Sequence, residues 1–211
     1  MQTIISNWES NQITFPKFKS YSKREIIYRQ GEPSLGFYLV KHGSVKLQKT
    51  LPNGTQSILK IITSGEIFGD GTSIDSLNIR NNSLAIALEE GTLIQTISSK
   101  NFQDPTIGLQ LLDKLQSYNL EMTQRVERLN WMDSESRIKH LLHHLAQKLG
   151  RRFGDETLLK LNLTHEEIAM LTDSSRQTVT KTLSNLKKDG VITYSRNRIL
   201  FRNLSTFNSN S

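Results

Sequence analysis

Residues 163–188 read LTHEEIAMLTDSSRQTVTKTLSNLKK, and they decide how the rest of the chain is understood. Two short helical patterns flank Thr172-Asp173-Ser174. In the first, Leu163, Ile168, Ala169 and Leu171 form an apolar side, and Thr164 followed by Glu167 has the form of a capping box. In the second, Val179, Leu183 and Leu186 recur at helical spacing, so one face is apolar. The other face presents Ser175, Arg176, Gln177, Thr180 and Lys181. Guanidinium and amide groups match base edges, while hydroxyls and ammonium groups reach phosphates. The spacing therefore predicts a helix-turn-helix whose recognition helix runs over 175–188. An ordinary helical hairpin with a solvated polar face has the same pattern, so the surroundings must decide.

The net charge is +7, and it is unevenly placed. Residues 1–133 hold 14 Lys and Arg against 13 Asp and Glu; residues 134–211 hold 13 against 7. Nearly all the excess thus sits with the helix-turn-helix, where a polyanion would be met. With no cysteine in 211 residues, disulfides, thiolate metal sites and a cysteine nucleophile are excluded. Apolar runs are only a few residues long and predict no membrane span. The start, MQTIISNWESNQ, lacks a basic-then-apolar leader pattern.

From Phe15 to Ile97 the pattern is short strands punctuated by glycine turns: Gly31-Glu32-Pro33, His42-Gly43, Pro52-Asn53-Gly54, Ser64-Gly65-Glu66 and Glu89-Glu90-Gly91. Ser44 to Gln48 alternates cleanly and should be half buried. Strands at this spacing indicate a β-barrel or jelly roll. A long helical pattern then opens at Asp104-Pro105. Leu111, Leu115, Tyr118, Met122, Val126 and Leu129 form a narrow apolar seam, which suits pairing with a second copy. The same stripe could instead pack onto the β-domain.

Asp133-Ser134 reads as a hinge and cap, followed by an amphipathic helix carrying Ile138, Leu141, Leu142, Leu145 and Leu149. Residues 150–154 read as a linker and 158–163 as a short strand. After the recognition helix, Asp189-Gly190 is a stop signal. Strands at 191–194 and 199–201 make a wing whose turn carries Arg196 and Arg198, placed for phosphates. The tail Asn203–Ser211 is polar and expected to fray. His140 and His144 share a helix face, but no HExxH glutamate and no third ligand accompany them, so no metal is expected. No phosphate loop, nucleophile motif or carboxylate pair is present, and neither catalysis nor a cofactor is expected.

A β-barrel, a long helix and a winged helix-turn-helix, in this order, resemble the cAMP receptor protein/fumarate–nitrate regulator family of transcription factors over residues 20–205. The resemblance is carried by Gly31-Glu32-Pro33, the run from Phe37 to Val45, Gly65 to Asp70, Ser136-Arg137-Ile138, and residues 163–186 followed by Asp189-Gly190-Val191-Ile192. Thr164-His165, Ser175-Arg176 and 178–181 make the C-terminal third most similar to the cyanobacterial nitrogen-control regulators. The resemblance implies an α+β fold: a cyclic-nucleotide-binding-like barrel at 1–104, a dimerisation helix at 105–132 and a winged helix-turn-helix at 133–211. It adds Thr164 and Thr178 to the DNA-contacting set.

It also implies an effector pocket around Gly69, Asp70, Arg80, Asn81, Asn82, Ser83 and Thr123. There the sequence departs from its cAMP-binding relatives. Gly69-Asp70 stands for their Gly-Glu pair, and Asn82-Ser83 for their Arg-Ser pair. A cyclic phosphate loses its bidentate guanidinium unless Arg80 shifts to replace it. The arginines of 2-oxoglutarate-binding members are likewise missing: Asn81 and Tyr118 hold their places. In the recognition helix, Gln177 stands where many relatives carry glutamate. The expected partners are double-stranded DNA, a second copy, RNA polymerase and an unidentified small effector, with no membrane. The expected compartment is the cytoplasm of a cyanobacterium or another bacterium, or a plastid stroma. A small-molecule module with a vestigial DNA-binding domain remains the alternative.

Overall fold

The computed structural model describes residues 18–71, 79–97, 105–160, 162–195 and 197–207. The first eight strands are β1 (Lys19–Tyr21), β2 (Ile26–Tyr28), β3 (Gly36–His42), β4 (Ser44–Thr50), β5 (Gln56–Thr63), β6 (Ile67–Gly71), β7 (Leu84–Ala87) and β8 (Thr92–Ile97). They form two four-stranded sheets, ordered β1-β8-β3-β6 and β2-β7-β4-β5, whose facing sides make a jelly-roll core. The turn between β4 and β5 has Gly54 at φ +82°, where Asn53 accepts a hydrogen bond from Thr55 N–H. That is the hairpin read from Pro52-Asn53-Gly54.

Strand β4 departs from expectation. Val45 and Leu47 face the core as the alternation predicts, but Ser44 and Lys46 are buried too. Ser44 is held within the β-domain, where its hydroxyl donates to Glu89, whereas Lys46 is covered by the C-terminal domain, its ammonium pairing with Glu167. Ile58, Ile61 and Leu88 of the β-domain enter the same hydrophobic cluster as Ile138, Leu142, Ile168 and Leu183. The two domains are therefore docked through a shared core.

Helix α1 (Pro105–Trp131) has proline at its first position, where a missing N–H costs nothing. The six-residue seam read from the sequence does not stay together as an outer face. Leu111 is buried with Leu39, Ile67 and Ile97, and Leu115 packs on that cluster. Tyr118, Met122 and Leu129 line clefts against the β-domain, Leu129 while still 39% exposed, whereas Val126 is exposed. The stripe is thus mostly an internal contact of one subunit. Leu109, Leu112, Leu120 and Val126, exposed by 68%, 52%, 60% and 58%, lie on a different side of the helix.

The C-terminal domain comprises α2 (Ser134–Leu149), β9 (Arg151–Phe153), β10 (Glu156–Lys160), α3 (His165–Thr172), α4 (Arg176–Lys188), β11 (Ile192–Ser195), β12 (Arg198–Phe201) and α5 (Leu204–Phe207). Its sheet runs β11-β12-β10-β9. The segment read as a linker is strand β9, paired to β10, and the strand expected at 158–163 is shifted to 156–160. The tail also differs, because Leu204 and Phe207 are buried and Phe207 meets Phe201 edge-on at 5.0 Å. Two apolar side chains suffice to anchor one further turn.

Candidate nucleic-acid interface

Helix α3 begins as its sequence dictates. Thr164 accepts from Glu167 N–H while the Glu167 carboxylate accepts from Thr164 N–H, a reciprocal capping box. Asp173 ends the helix in the left-handed conformation, at φ 47°, and turns the chain. Ser175, read as the first recognition-helix residue, is instead the N-cap of α4, accepting from Thr178 N–H. Its hydroxyl also meets the Thr178 hydroxyl at 2.9 Å, so Thr178 belongs to the cap more than to the open face.

Val179, Thr182, Leu183 and Leu186 bury the back of α4. Arg176, Gln177, Thr180, Lys181 and Ser184 line its open front. Ser184 was not singled out from the sequence, although it stands at i+3 and i+4 from Lys181 and Thr180. The Thr180 hydroxyl donates to Arg176 C=O and lies 3.0 Å from His165 Nδ1, so it ties α4 to α3. Arg198 is exposed at the edge of a cleft shared with Thr164 and His165; Arg196 lies outside the described residues.

Two arginines not assigned a role from sequence hold this unit in place. Arg137 donates to the carbonyls of Met132, Thr172 and Asp173, joining the hinge before α2 to the end of α3. Arg125 of α1 donates to Leu59 C=O and reaches the Asp173 carboxylate at 3.3 Å. Arg137 stood inside the Ser136-Arg137-Ile138 motif, so a signal existed. Arg125 looked like any polar residue on a helix.

Between α1 and the β-domain lies a cavity of about 130 Å³, lined among others by Tyr28, Phe68, Gly69, Asp70, Asn82, Ser83, Lys114 and Tyr118. Gly69 is required there: at φ +105°, a Cβ would sit 2.9 Å from Gly36 C=O and from the Tyr38 ring. Stacked Tyr28, Tyr38 and Phe68 fill the adjoining core. Asp70 accepts from Asn82 N–H at 2.9 Å, and the Asn82 amide oxygen is taken by Lys49. Burial, then the neighbouring Asp70, pushes the Tyr118 hydroxyl above its ordinary range.

Arg80, expected as the nearby cation, does not line this cavity. Its guanidinium donates to Gly31 C=O at 2.8 Å on the exposed rim. Asn81 is buried beside the same rim, and its Oδ1 meets no donor among the described residues. Thr123 is exposed on α1 and bonds Asn119 C=O, away from the cavity. The cation that does line it is Lys114, one turn before Tyr118 on α1.

At the seam of the two domains, burial alone would push the Glu66 carboxyl up. Lys60, Lys148 and the Thr63 donors outweigh it and hold Glu66 at about 2. His140 is pushed down to about 4 by burial and then by Arg128. The signs follow from linkage. A depressed His stays neutral in the fold while the unfolded chain protonates, so stability falls as pH drops from 6.5 towards 4. A depressed Glu contributes stability above 4.5 that disappears as pH falls towards 2. The midpoint of thermal unfolding should therefore decline from about pH 6.5 downward. Glu66→Gln should remove much of the loss below about 4.5, and calorimetric scans across that range check both.

Among the described residues no third ligand joins His140 and His144 to form a metal site, and no helix is long and apolar enough to cross a membrane. A jelly-roll module joined by a long helix to a winged helix-turn-helix defines an effector-domain transcription regulator. The chain matches the cyclic nucleotide-binding domain over residues 18–104 and the Crp-like helix-turn-helix domain over 136–208. It belongs to the CRP family of DNA-binding transcription regulators, which are not enzymes. A CRP-like cAMP-activated global transcriptional regulator of Mycobacterium tuberculosis is 27% identical over 178 residues, covering 82% of this chain and 78% of that one. A global nitrogen regulator of Synechocystis sp. is 24% identical over 192 residues, covering 89% and 85%. A CRP-family regulator of Thermus thermophilus has the same fold, with TM-score 0.75 and 24% identity over 92% of this chain and 97% of that one.

Proposed function

We propose that this protein is a homodimeric, sequence-specific regulator of transcription that reads two DNA half-sites with paired α4 helices. The observation that carries it is the front of α4, where Arg176, Gln177, Thr180, Lys181 and Ser184 share one open surface and their helix is anchored from behind. Arg176 and Gln177 supply base-edge donors; Lys181, Ser175 and the Thr164 end of α3 supply phosphate contacts, with Arg198 and Arg196 on the wing. Thr180 and Thr178 act by holding the helix in register. RNA polymerase is the natural further partner, in the cytoplasm of a bacterium such as a cyanobacterium, or in a plastid stroma. Nitrogen control is favoured by the cyanobacterial relatives and by the matching residues around α4. Selection from a random duplex library, followed by anisotropy titration, tests the reading. A recovered two-fold-symmetric site is expected; binding without sequence preference would overturn it.

The effector, on this reading, is not a cyclic nucleotide. The cavity holds roughly four waters at ~30 Å³ each, too little room for a cyclic nucleotide. Residues 69–79, which precede Arg80 in the sequence, contain two aspartates and no lysine or arginine. A buried cyclic phosphate needs a fixed cation; Arg80 is engaged elsewhere, and Lys114, the cation that lines the cavity, is exposed on α1 and offers a point charge in place of a bidentate clamp. Calorimetry with cAMP and with 2-oxoglutarate, with and without operator DNA, should give no cAMP heat. Micromolar cAMP binding that also tightens operator binding would overturn this.

A further inference from the structure

A second cleft, of about 180 Å³, lies where β5, α1, α2 and the end of α3 meet. None of the residues on the open front of α4 lines it. Lys60, Arg125, Arg128, Arg137 and Lys148 reach its wall, against a single carboxylate, Glu121. Most of these cations are engaged. Lys60 lies 2.6 Å from Glu121 and 3.4 Å from Glu66, and Lys148 lies 2.9 Å from Glu66. Arg125 and Arg137 are spent on backbone carbonyls and on Asp173. Arg128 is different: it is half-buried, and among the described residues its guanidinium makes no hydrogen bond or ion pair, with Glu121 and Glu127 acting on it only from a distance. Beside it, His140 and His144 stack with ring centres 6.3 Å apart and add imidazole donors to the same wall.

A guanidinium taken partly out of water without an acceptor is costly, and it sits here among further cations. An anion with several oxygens would supply the missing acceptors. We propose that this cleft binds a small, multiply charged oxyanion, a di- or tricarboxylate or a phosphorylated compound, with Arg128 as its principal cation. The volume corresponds to about six waters at ~30 Å³ each, which suits such an anion and is too small for a nucleotide. Lys60 would contribute through field rather than contact, since its ammonium is closed off by Glu121 and the Tyr118 ring.

The location gives binding a consequence. Leu59 to Ile61 and α1 belong to the effector half, whereas α2 and α3 carry the DNA-reading helix. A ligand touching both stabilises the docked arrangement in proportion to its affinity for that arrangement alone. This goes beyond the DNA-binding reading and does not depend on it, because the test requires no DNA.

Calorimetry on the full chain with pyrophosphate and with citrate, at constant ionic strength, decides it. One anion bound per chain is expected for at least one probe, and whichever binds more tightly distinguishes phosphate from carboxylate chemistry. Arg128→Gln should weaken that binding at least about tenfold, and Arg128→Lys should restore part of it. Arg176→Ala, on the far surface, should leave it unchanged. No saturable heat from either probe overturns the proposal. So does binding that survives Arg128→Gln, including binding that Arg176→Ala abolishes, which would place the anion on the DNA-reading face.

Discussion

Replacing Arg176 with alanine should lower operator affinity by about 1–3 kcal/mol at each half-site, or about 2–6 kcal/mol for a symmetric site. Arg176 is the first residue of α4, directly after the Ser175 cap, and its side chain is exposed on the open front. Alanine keeps the helix, because the cap bond uses Ser175 Oγ and Thr178 N–H. The Thr180 hydroxyl bonds the Arg176 carbonyl rather than its side chain, so that tie survives as well. The loss should therefore appear as recognition and not as unfolding. Preference should relax at one base pair in each half-site. Arg198→Ala on the wing should instead weaken binding to every sequence similarly and flatten the salt dependence. Anisotropy titrations on the selected operator and on single-base variants, at several salt concentrations, separate the two. Unchanged affinity and preference in Arg176→Ala would remove it from the reading surface.

Local features were legible in the sequence wherever a single backbone requirement picks a residue type. The Thr164–Glu167 box, the Asn53-Gly54 turn and the Gly190 stop at φ +68° all read directly, because each is decided within a few residues. The wing and the apolar back of α4 read from periodicity alone. Strand β9 did not, since Arg151, Arg152 and Phe153 are all exposed and carry no alternation. Lys46 reads as the solvent side of a half-buried strand. Only the docking of the second domain, with Glu167 across from it, buries it.

The cavity beside Gly69 shows the same limit. Glycine at position 69 is visible in the sequence as a family motif, yet its reason is the Tyr38 ring and the Gly36 carbonyl pressed against it. Arg80 is near in sequence to Asn82 and was the obvious substitute clamp. A β-bridge between Pro33 and Arg80 turns it to the rim instead. Lys114 comes from a helix more than thirty residues away in the chain, and no local pattern distinguishes it from other helical lysines. Residues converging on a cavity from separate elements are the part that sequence spacing carries least.

Helix α1 carries two stripes, and it gives the second large expected effect. Its buried residues Leu111, Leu115, Tyr118 and Met122 fall on one side, against the β-domain. Leu109, Leu112, Gln116, Asn119, Thr123, Val126 and Asn130 recur at spacings of three and four on another side, and those described are exposed. Leu109 and Leu112 at one end and Val126 near the other, with polar residues between, form a heptad seam whose middle fixes register at a cost in stability. The sequence shows both stripes; the inner one is the more hydrophobic because burial inside the subunit demands it. On this reading the second copy packs on the outer stripe.

Leu112→Glu should then convert the dimer to monomer. Each copy loses about 1.5–3 kcal/mol of apolar burial, and the two carboxylates face each other, so the interface weakens by at least about 3–6 kcal/mol. That corresponds to a dimer dissociation constant raised roughly 100-fold to 10,000-fold, with operator affinity falling in step as one half-site is released. The subunit itself should keep its melting temperature, because Leu112 is 52% exposed and takes no part in the internal clusters. Met122→Ala makes the opposite prediction. Met122 lines the cleft between α1, β5 and α2, so the packing lost there should destabilise the subunit while leaving the association constant nearly unchanged. Sedimentation equilibrium and thermal unfolding on both variants give four readings from one pair of samples. A Leu112→Glu protein that sediments as the wild type would show that the outer stripe is not the dimer seam.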